Sequence, residues 1–173
     1  MSSYLDSIKN RFCTYKAMGE KTIDQLSDQE IHWQYNEESN SISIMVKHIV
    51  GNMLSRWTNF LTEDGEKSWR HRDQEFEDTY TSKEDMMMHW EKGWQCLFDA
   101  INPLTENDLE KKVLIRDEEH TITDAINRQL AHYSYHIGQI VYLARMLKGS
   151  DWETLSIPKG KSEEFNAKMF SNK

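Results

Sequence analysis

Apolar or small residues recur in the first part of the chain at Leu5, Ile8, Phe12, Tyr15, Gly19, Thr22 and Leu26, at alternating steps of three and four. That period puts them on one stripe of a helix from Tyr4 to Leu26. Ser27-Asp28-Gln29-Glu30 has the form of a capping box, in which the serine and glutamate side chains satisfy each other's backbone N–H groups. It predicts a short second helix that ends in the polar run Asn36-Glu37-Glu38-Ser39-Asn40. A longer helix follows from near Ser41 to about Leu61, with Ile42, Met45, Ile49, Met53, Trp57 and Phe60 on its apolar face and His48 beside it.

The stretch Thr62 to Thr81 shows neither a helical nor a strand period. Structureless loops beyond about 12–15 residues are uncommon in compact domains and are often functional. Ser82-Lys83-Glu84-Asp85 caps a helix over 83–101 with a seam of Met87, Trp90, Trp94, Leu97 and Ile101, and Asn102-Pro103 stops it. Leu109 to Ile122 reads as a small hairpin or an extended crossover. The last long helix runs from Thr123-Asp124 to Lys148, with Gly149 as its C-terminal cap. Its predicted seam is Ala125, Gln129, His132, His136, Ile140, Leu143 and Leu147. The tail from Asp151 to Lys161 is irregular, with a short helical piece after Ser162. The pattern therefore predicts an all-α, up-down four-helix bundle over 1–173, one domain, with short extra elements.

Composition supports this outline. Only 2 prolines and 7 glycines interrupt 173 residues, 38% hydrophobic and 29% charged. The net charge of −8, from 21 basic and 29 acidic residues, argues against nucleic-acid binding and against attachment to anionic lipid. No apolar run reaches the ~18–20 residues of a transmembrane helix. Met1-Ser2-Ser3-Tyr4-Leu5-Asp6 lacks the basic-then-apolar signature of a secretory leader, so a cytoplasmic location is expected. Cys13 and Cys96 fall inside predicted helices and are expected to be free, buried thiols.

The candidate chemistry lies on the predicted seam of the last helix. His132 and His136 are four residues apart, so both project from one face, one turn above the other. That is the spacing at which two imidazoles bind one metal ion. Two imidazoles in a core without partners would cost about 1–3 kcal/mol each, and a shared metal removes the difficulty. Of the seven histidines, His32, His71, His89 and His120 read as surface or loop residues, and His48 is the best third ligand. Three histidines without a carboxylate leave a coordination position open, as catalytic sites do. Zinc, nickel, copper and iron all suit three imidazoles. The Glu-x-x-His pair of di-iron bundles, His-Glu-x-x-His, Gly-x-Ser-x-Gly, Cys-x-x-Cys and phosphate-binding glycine loops are absent from the sequence.

With His48 on the second long helix and His132-x-x-x-His136-Ile137-Gly138-Gln139 on the last, the chain resembles the DinB superfamily of bacterial four-helix-bundle proteins. The stretches His48-Ile49-Val50-Gly51-Asn52-Met53-Leu54-Ser55-Arg56-Trp57, Asp64-Gly65-Glu66-Lys67, Trp69-Arg70-His71-Arg72-Asp73 and Leu155-Ser156-Ile157-Pro158-Lys159-Gly160-Lys161-Ser162 resemble one bacterial branch of it with no assigned reaction. The resemblance implies a divalent metal, zinc or nickel among others, held by His48, His132 and His136. It also implies frequent homodimers. Relatives of established activity are metal-dependent enzymes that use a low-molecular-weight thiol as cosubstrate.

Lys67, Arg70 and Arg72 in the long loop, and Lys159 and Lys161 in the tail, are either contacts for an anionic thiol or substrate, or solvated charges balanced by Asp73, Glu75 and Glu77. Trp69 either walls the pocket or pins the loop. Asn52, Gln129 and Gln139 are candidates to orient the imidazoles, and Arg70, Arg72 and Asn52 are the catalytic candidates. Two functions are expected. One is a metal-dependent thiol S-transferase or hydrolase in detoxification or stress response, acting on a small molecule. The other is a non-catalytic dimeric metal-binding stress or sensor protein.

Overall fold

The computed structural model describes residues 3–171 and, among them, six α-helices and one two-stranded antiparallel sheet. Five helices begin at a hydroxyl side chain that accepts a hydrogen bond from an N–H of the first turn. These are α1 (Tyr4–Ile23) at Ser3, α2 (Asp28–Ile31) at Ser27, α3 (Ile42–Trp57) at Ser41, α4 (Lys83–Ile101) at Ser82 and α5 (Ile122–Lys148) at Thr121. The sixth, α6 (Ser162–Ser171), buries none of its residues.

The chain is mostly helical. Helix α1 packs on α5 and α4, and α3 packs on α4 and α5. The core between them is aromatic: Phe12, Trp90, Trp94 and Tyr133 are completely buried, with ring centroids 5.5 to 6.4 Å apart along the chain of contacts. Helix α3 is buried on almost all sides. A helix of that kind is central rather than peripheral, because the segment after it folds back as a 3-10 turn, Arg72–Phe76, against its otherwise open side.

Several sequence expectations shift. Helix α3 stops at Trp57 rather than Leu61: Asn59 enters the left-handed region at φ 49°, and its carbonyl accepts from the Thr62 and Glu63 N–H groups. On α4 the buried methionine is Met86, with Met87 half-buried at the edge. On α5 the buried stripe is Ala125, Ile126, Gln129, Tyr133, Ile137, Ile140 and Ala144. His132 and His136 stand beside this stripe, half-buried, and Tyr133 and Ile137 take the core positions expected for them. The Tyr133 hydroxyl accepts from Trp57 Nε1 (3.1 Å) and donates to Asn52 Oδ1 (3.0 Å), which satisfies its polar end inside the core. Cys96 is half-buried, but Cys13 is exposed, contrary to expectation, because it faces away from the α1 seam.

The ambiguous stretch is a hairpin, β1 (Lys112–Ile115) with β2 (Glu118–Thr121), paired Lys112 with Thr121 and Ile115 with Glu118. Its turn residues, Arg116 and Asp117, have φ of 57° and 63°, the left-handed pair of a tight two-residue hairpin turn. The Asp64 carboxylate accepts both of their N–H groups, at 2.9 and 2.7 Å. The tail bonds back to the end of α1: Glu153 exchanges hydrogen bonds with the Gln25 side chain. No helix among the described residues is long and apolar enough to cross a membrane.

Gly19 gives a test of the helix packing. A Cβ there would sit 2.7 Å from two ring carbons of Trp90 and 3.3 Å from Ile137. Gly→Ala within a helix ordinarily gains about 0.5–1 kcal/mol. Here the sign should reverse, and Gly19→Ala should lose about 1–3 kcal/mol through overpacking in urea denaturation. A gain would show that α1 and α4 do not approach as closely as described.

Candidate metal centre

His48 is held in the middle of α3, nearly all of whose surface is covered, and is only 6% exposed. His132 and His136 come from successive turns of α5. The three rings meet edge to face, with centroids 4.8 to 5.3 Å apart and interplanar angles of 68° to 86°. One potential ligand atom from each lies within 4.8 Å of the others, the one such group of three among the described residues.

Two of the three outer nitrogens are tied, and the third, His132 Nδ1, is buried with no hydrogen-bond partner among the described residues. His48 Nδ1 bonds Glu75 Oε2 at 2.8 Å, and His136 Nδ1 bonds Gln139 Oε1 at 2.8 Å. Each acceptor requires the proton on Nδ1, which leaves the Nε2 lone pair facing inward. His48 Nε2 and His132 Nε2 are 3.3 Å apart, and the buried His136 Nε2 has no hydrogen-bond partner. Metal–nitrogen bonds of about 2.0–2.1 Å in a tetrahedron give a nitrogen–nitrogen edge of about 3.3–3.4 Å. The donor set therefore fits a metal ion, and the three histidines could hold one. Burial, then the neighbouring His136 and His48, then Arg70 and Arg56, push His132 down to about 3. Burial and His48 push His136 down to about 4, against the Gln139 bond. Both imidazoles are thus neutral near pH 7, the form that ligates.

Glu75, which one of the two readings of the loop places among solvated charges, is instead buried at the site. It sits on the Arg72–Phe76 turn, 6% exposed, and bonds Arg70 through both oxygens, at 2.7 and 3.0 Å, as well as His48. Burial alone would raise its pKa, but the bonds from His48 and Arg70 outweigh it and hold the carboxyl below its ordinary range. Gly51 makes this possible, since a Cβ there would run into the Glu75 carboxylate. The signal in the sequence is that glycine, the one glycine of α3, nearly one turn after His48. Phe76 closes the other side, stacked on His48 at 5.0 Å.

A cavity of about 380 Å³ opens beside His48 and His132. Of the expected site residues, Asn52, Arg70, Arg72 and Gln129 line it. Lys67 does not: it is buried elsewhere, on Glu63 Oε2 (2.9 Å) and the Asp64 carbonyl (2.7 Å). Trp69 borders a separate cavity on the Gly51 side of Glu75. Lys159 and Lys161, in the tail, do not line the cavity either. Arg56, Arg116 and Arg128 do line it and were not anticipated. They arrive from α3, the hairpin turn and α5, which no local pattern connects. A larger apolar groove, about 910 Å³, lies between the C-terminal parts of α3 and α4, away from the histidines.

A family model described as "Protein of unknown function (DUF1572)" matches residues 1–161. A search of curated proteins found no match.

Metal analysis after loading with zinc or nickel should give about one ion per chain, and His132→Ala or His136→Ala should abolish it. Parent-like uptake by either variant would refute the ligand set. Glu75→Gln should keep the fold but weaken metal affinity about 10–100-fold, because a neutral amide, though it still accepts from His48 Nδ1–H, leaves the ring a weaker donor to the metal than a carboxylate does. Unchanged affinity, read by competition with a chromogenic chelator, would deny Glu75 that role.

Proposed function

The chain belongs to the DUF1572 family, and from that premise we propose that the protein is a metal-dependent enzyme of the thiol S-transferase or hydrolase type. It would use zinc or nickel, act in detoxification or stress response, and work as a homodimeric four-helix bundle of the DinB-like kind in the cytoplasm. The observation that carries this reading is the set of three converging imidazoles, two of which, His48 and His132, line a cavity. A site made only to hold structure would be closed by a fourth side chain.

His48, His132 and His136 would hold the ion. When bound, it would lower the pKa of a thiol or water on its open side, so that the nucleophile exists at neutral pH. Glu75 would keep His48 in its ligating tautomer and fix the ring plane. Gln139 would do the same for His136. Arg70, already clamped by Glu75, would add positive charge to the cavity without being free to move. Phe76, stacked on His48, would exclude water from that side. The cosubstrate would be a low-molecular-weight thiol.

A second reading, a non-catalytic dimeric metal-binding stress or sensor protein, draws support from apolar surface that does not line the cavity. Phe165 and Met169 stand exposed on α6, as do Tyr142 and Met146 on α5. Assays with mycothiol, bacillithiol and glutathione against a generic electrophile distinguish the two. The enzyme reading expects turnover that depends on the metal and falls at least about 100-fold in His136→Ala. Equal rates in loaded and metal-free protein would favour the sensor.

A further inference from the structure

Five guanidinium groups, those of Arg56, Arg70, Arg72, Arg116 and Arg128, line the cavity beside the histidines, in a chain whose net charge is −8. Among the described residues, two carboxylates form ion pairs with them. Glu66 lies within ion-pair distance of Arg56, Arg70 and Arg116, at 3.3, 3.6 and 3.1 Å, and Glu75 takes Arg70. Among the described residues Arg72 and Arg128 have no carboxylate partner; Arg72 lies 5.2 Å over the Phe76 ring, and both remain exposed. The buried Gln129 carbonyl oxygen, 3% exposed at the residue, has no hydrogen-bond partner either.

The placement of the two free arginines follows from helix geometry. Arg128 is one turn before His132 on the same face of α5. Arg72 neighbours Tyr135, nearly one turn beyond His132. Positions 128 and 135 are about 10 Å apart along the axis, with the histidine between them. A planar guanidinium binds a carboxylate or phosphate through two parallel hydrogen bonds. Excess positive charge in a concave site on an acidic protein also focuses the field on that site.

We propose that Arg72 and Arg128 form a two-point clamp for a small molecule carrying two acidic groups, one on each side of the atom that reacts at the histidine cluster. This rests on the metal-enzyme reading for the reaction, and not for the binding. The acidic groups are carboxylates or phosphates, and Gln129 accepts a hydrogen bond from an N–H or O–H group between them.

The test is calorimetric titration, at constant ionic strength, of metal-free and metal-loaded protein. The probes are straight-chain dicarboxylates from succinate to pimelate, the matching bisphosphonates, and acetate and methylphosphonate as single-anion controls. A dianion of optimal length should bind at least about tenfold tighter than its single-anion control in the metal-free protein. The series with the stronger optimum identifies the acidic group. Arg72→Gln and Arg128→Gln should each reduce the best dianion to the level of the control, and Arg11→Gln, on the exposed side of α1, should change nothing. Two results would overturn the clamp: no dependence on chain length, or binding untouched by both substitutions. Dianion binding only in loaded protein and insensitive to Arg72→Gln and Arg128→Gln would assign the anion to the metal and also overturn it. Dianion binding without metal uptake would keep the clamp and remove the enzyme reading.

Discussion

The carboxylate of Glu75 is where the structure of the site is decided. One side chain holds His48 through its Nδ1 and Arg70 through a two-point bond. Both contacts require the 3-10 turn to lie directly on α3, and Gly51 is the gap that permits it. Once docked, the turn brings Phe76 onto the His48 ring and Arg72 to the mouth of the cavity. A buried carboxylate is tolerated only with partners that replace its lost hydration. The site thus depends on the loop, and the buried charge of the loop depends on the site.

A second carboxylate, Asp64, works in parallel at the other end of the same segment. It accepts from the Glu66, Arg116 and Asp117 N–H groups, while Gly65 bonds Leu114 through its N–H and takes the Ser55 hydroxyl on its carbonyl. The Arg116-Asp117 turn lacks the Asn-Gly pair that would favour two left-handed residues unaided. Asp64 supplies the missing stabilisation from outside the hairpin. The same clasp carries Arg116 to Glu66, where Arg56 and Arg70 converge. Asp64-Gly65-Glu66-Lys67 is therefore a structural lock. Lys67, which from sequence had been a candidate for the substrate, is spent on holding it closed.

Much of the fold was legible because its determinants are local. A serine or threonine that caps a helix acts on an N–H three residues away, and a three-four stripe reports one face of one helix. The error on α5 has the same origin. His132 and His136 share the period of the stripe with Tyr133 and Ile137, one position over, and periodicity alone does not settle which neighbour faces inward. Tyr133 does, because Trp57 and Asn52 on α3 satisfy its hydroxyl there. The displaced histidines then stand at the edge of the core, where a ring can be half-buried and still reach a cavity.

Spacing along the chain was enough to place the helix starts to within two residues, the break in regular period over 62–81, the four-residue histidine pair and the third histidine that could meet it. Each depends on spacing within a turn or two, which the backbone converts directly into geometry. It took packing in three dimensions to put Glu75 into the space beside Gly51, to gather five arginines from separate elements in one cavity, and to leave two of them without a carboxylate partner among the described residues. Those outcomes depend on which groups lose their water together. Charge pairing and burial act through space between residues far apart in the chain, so no local pattern records them.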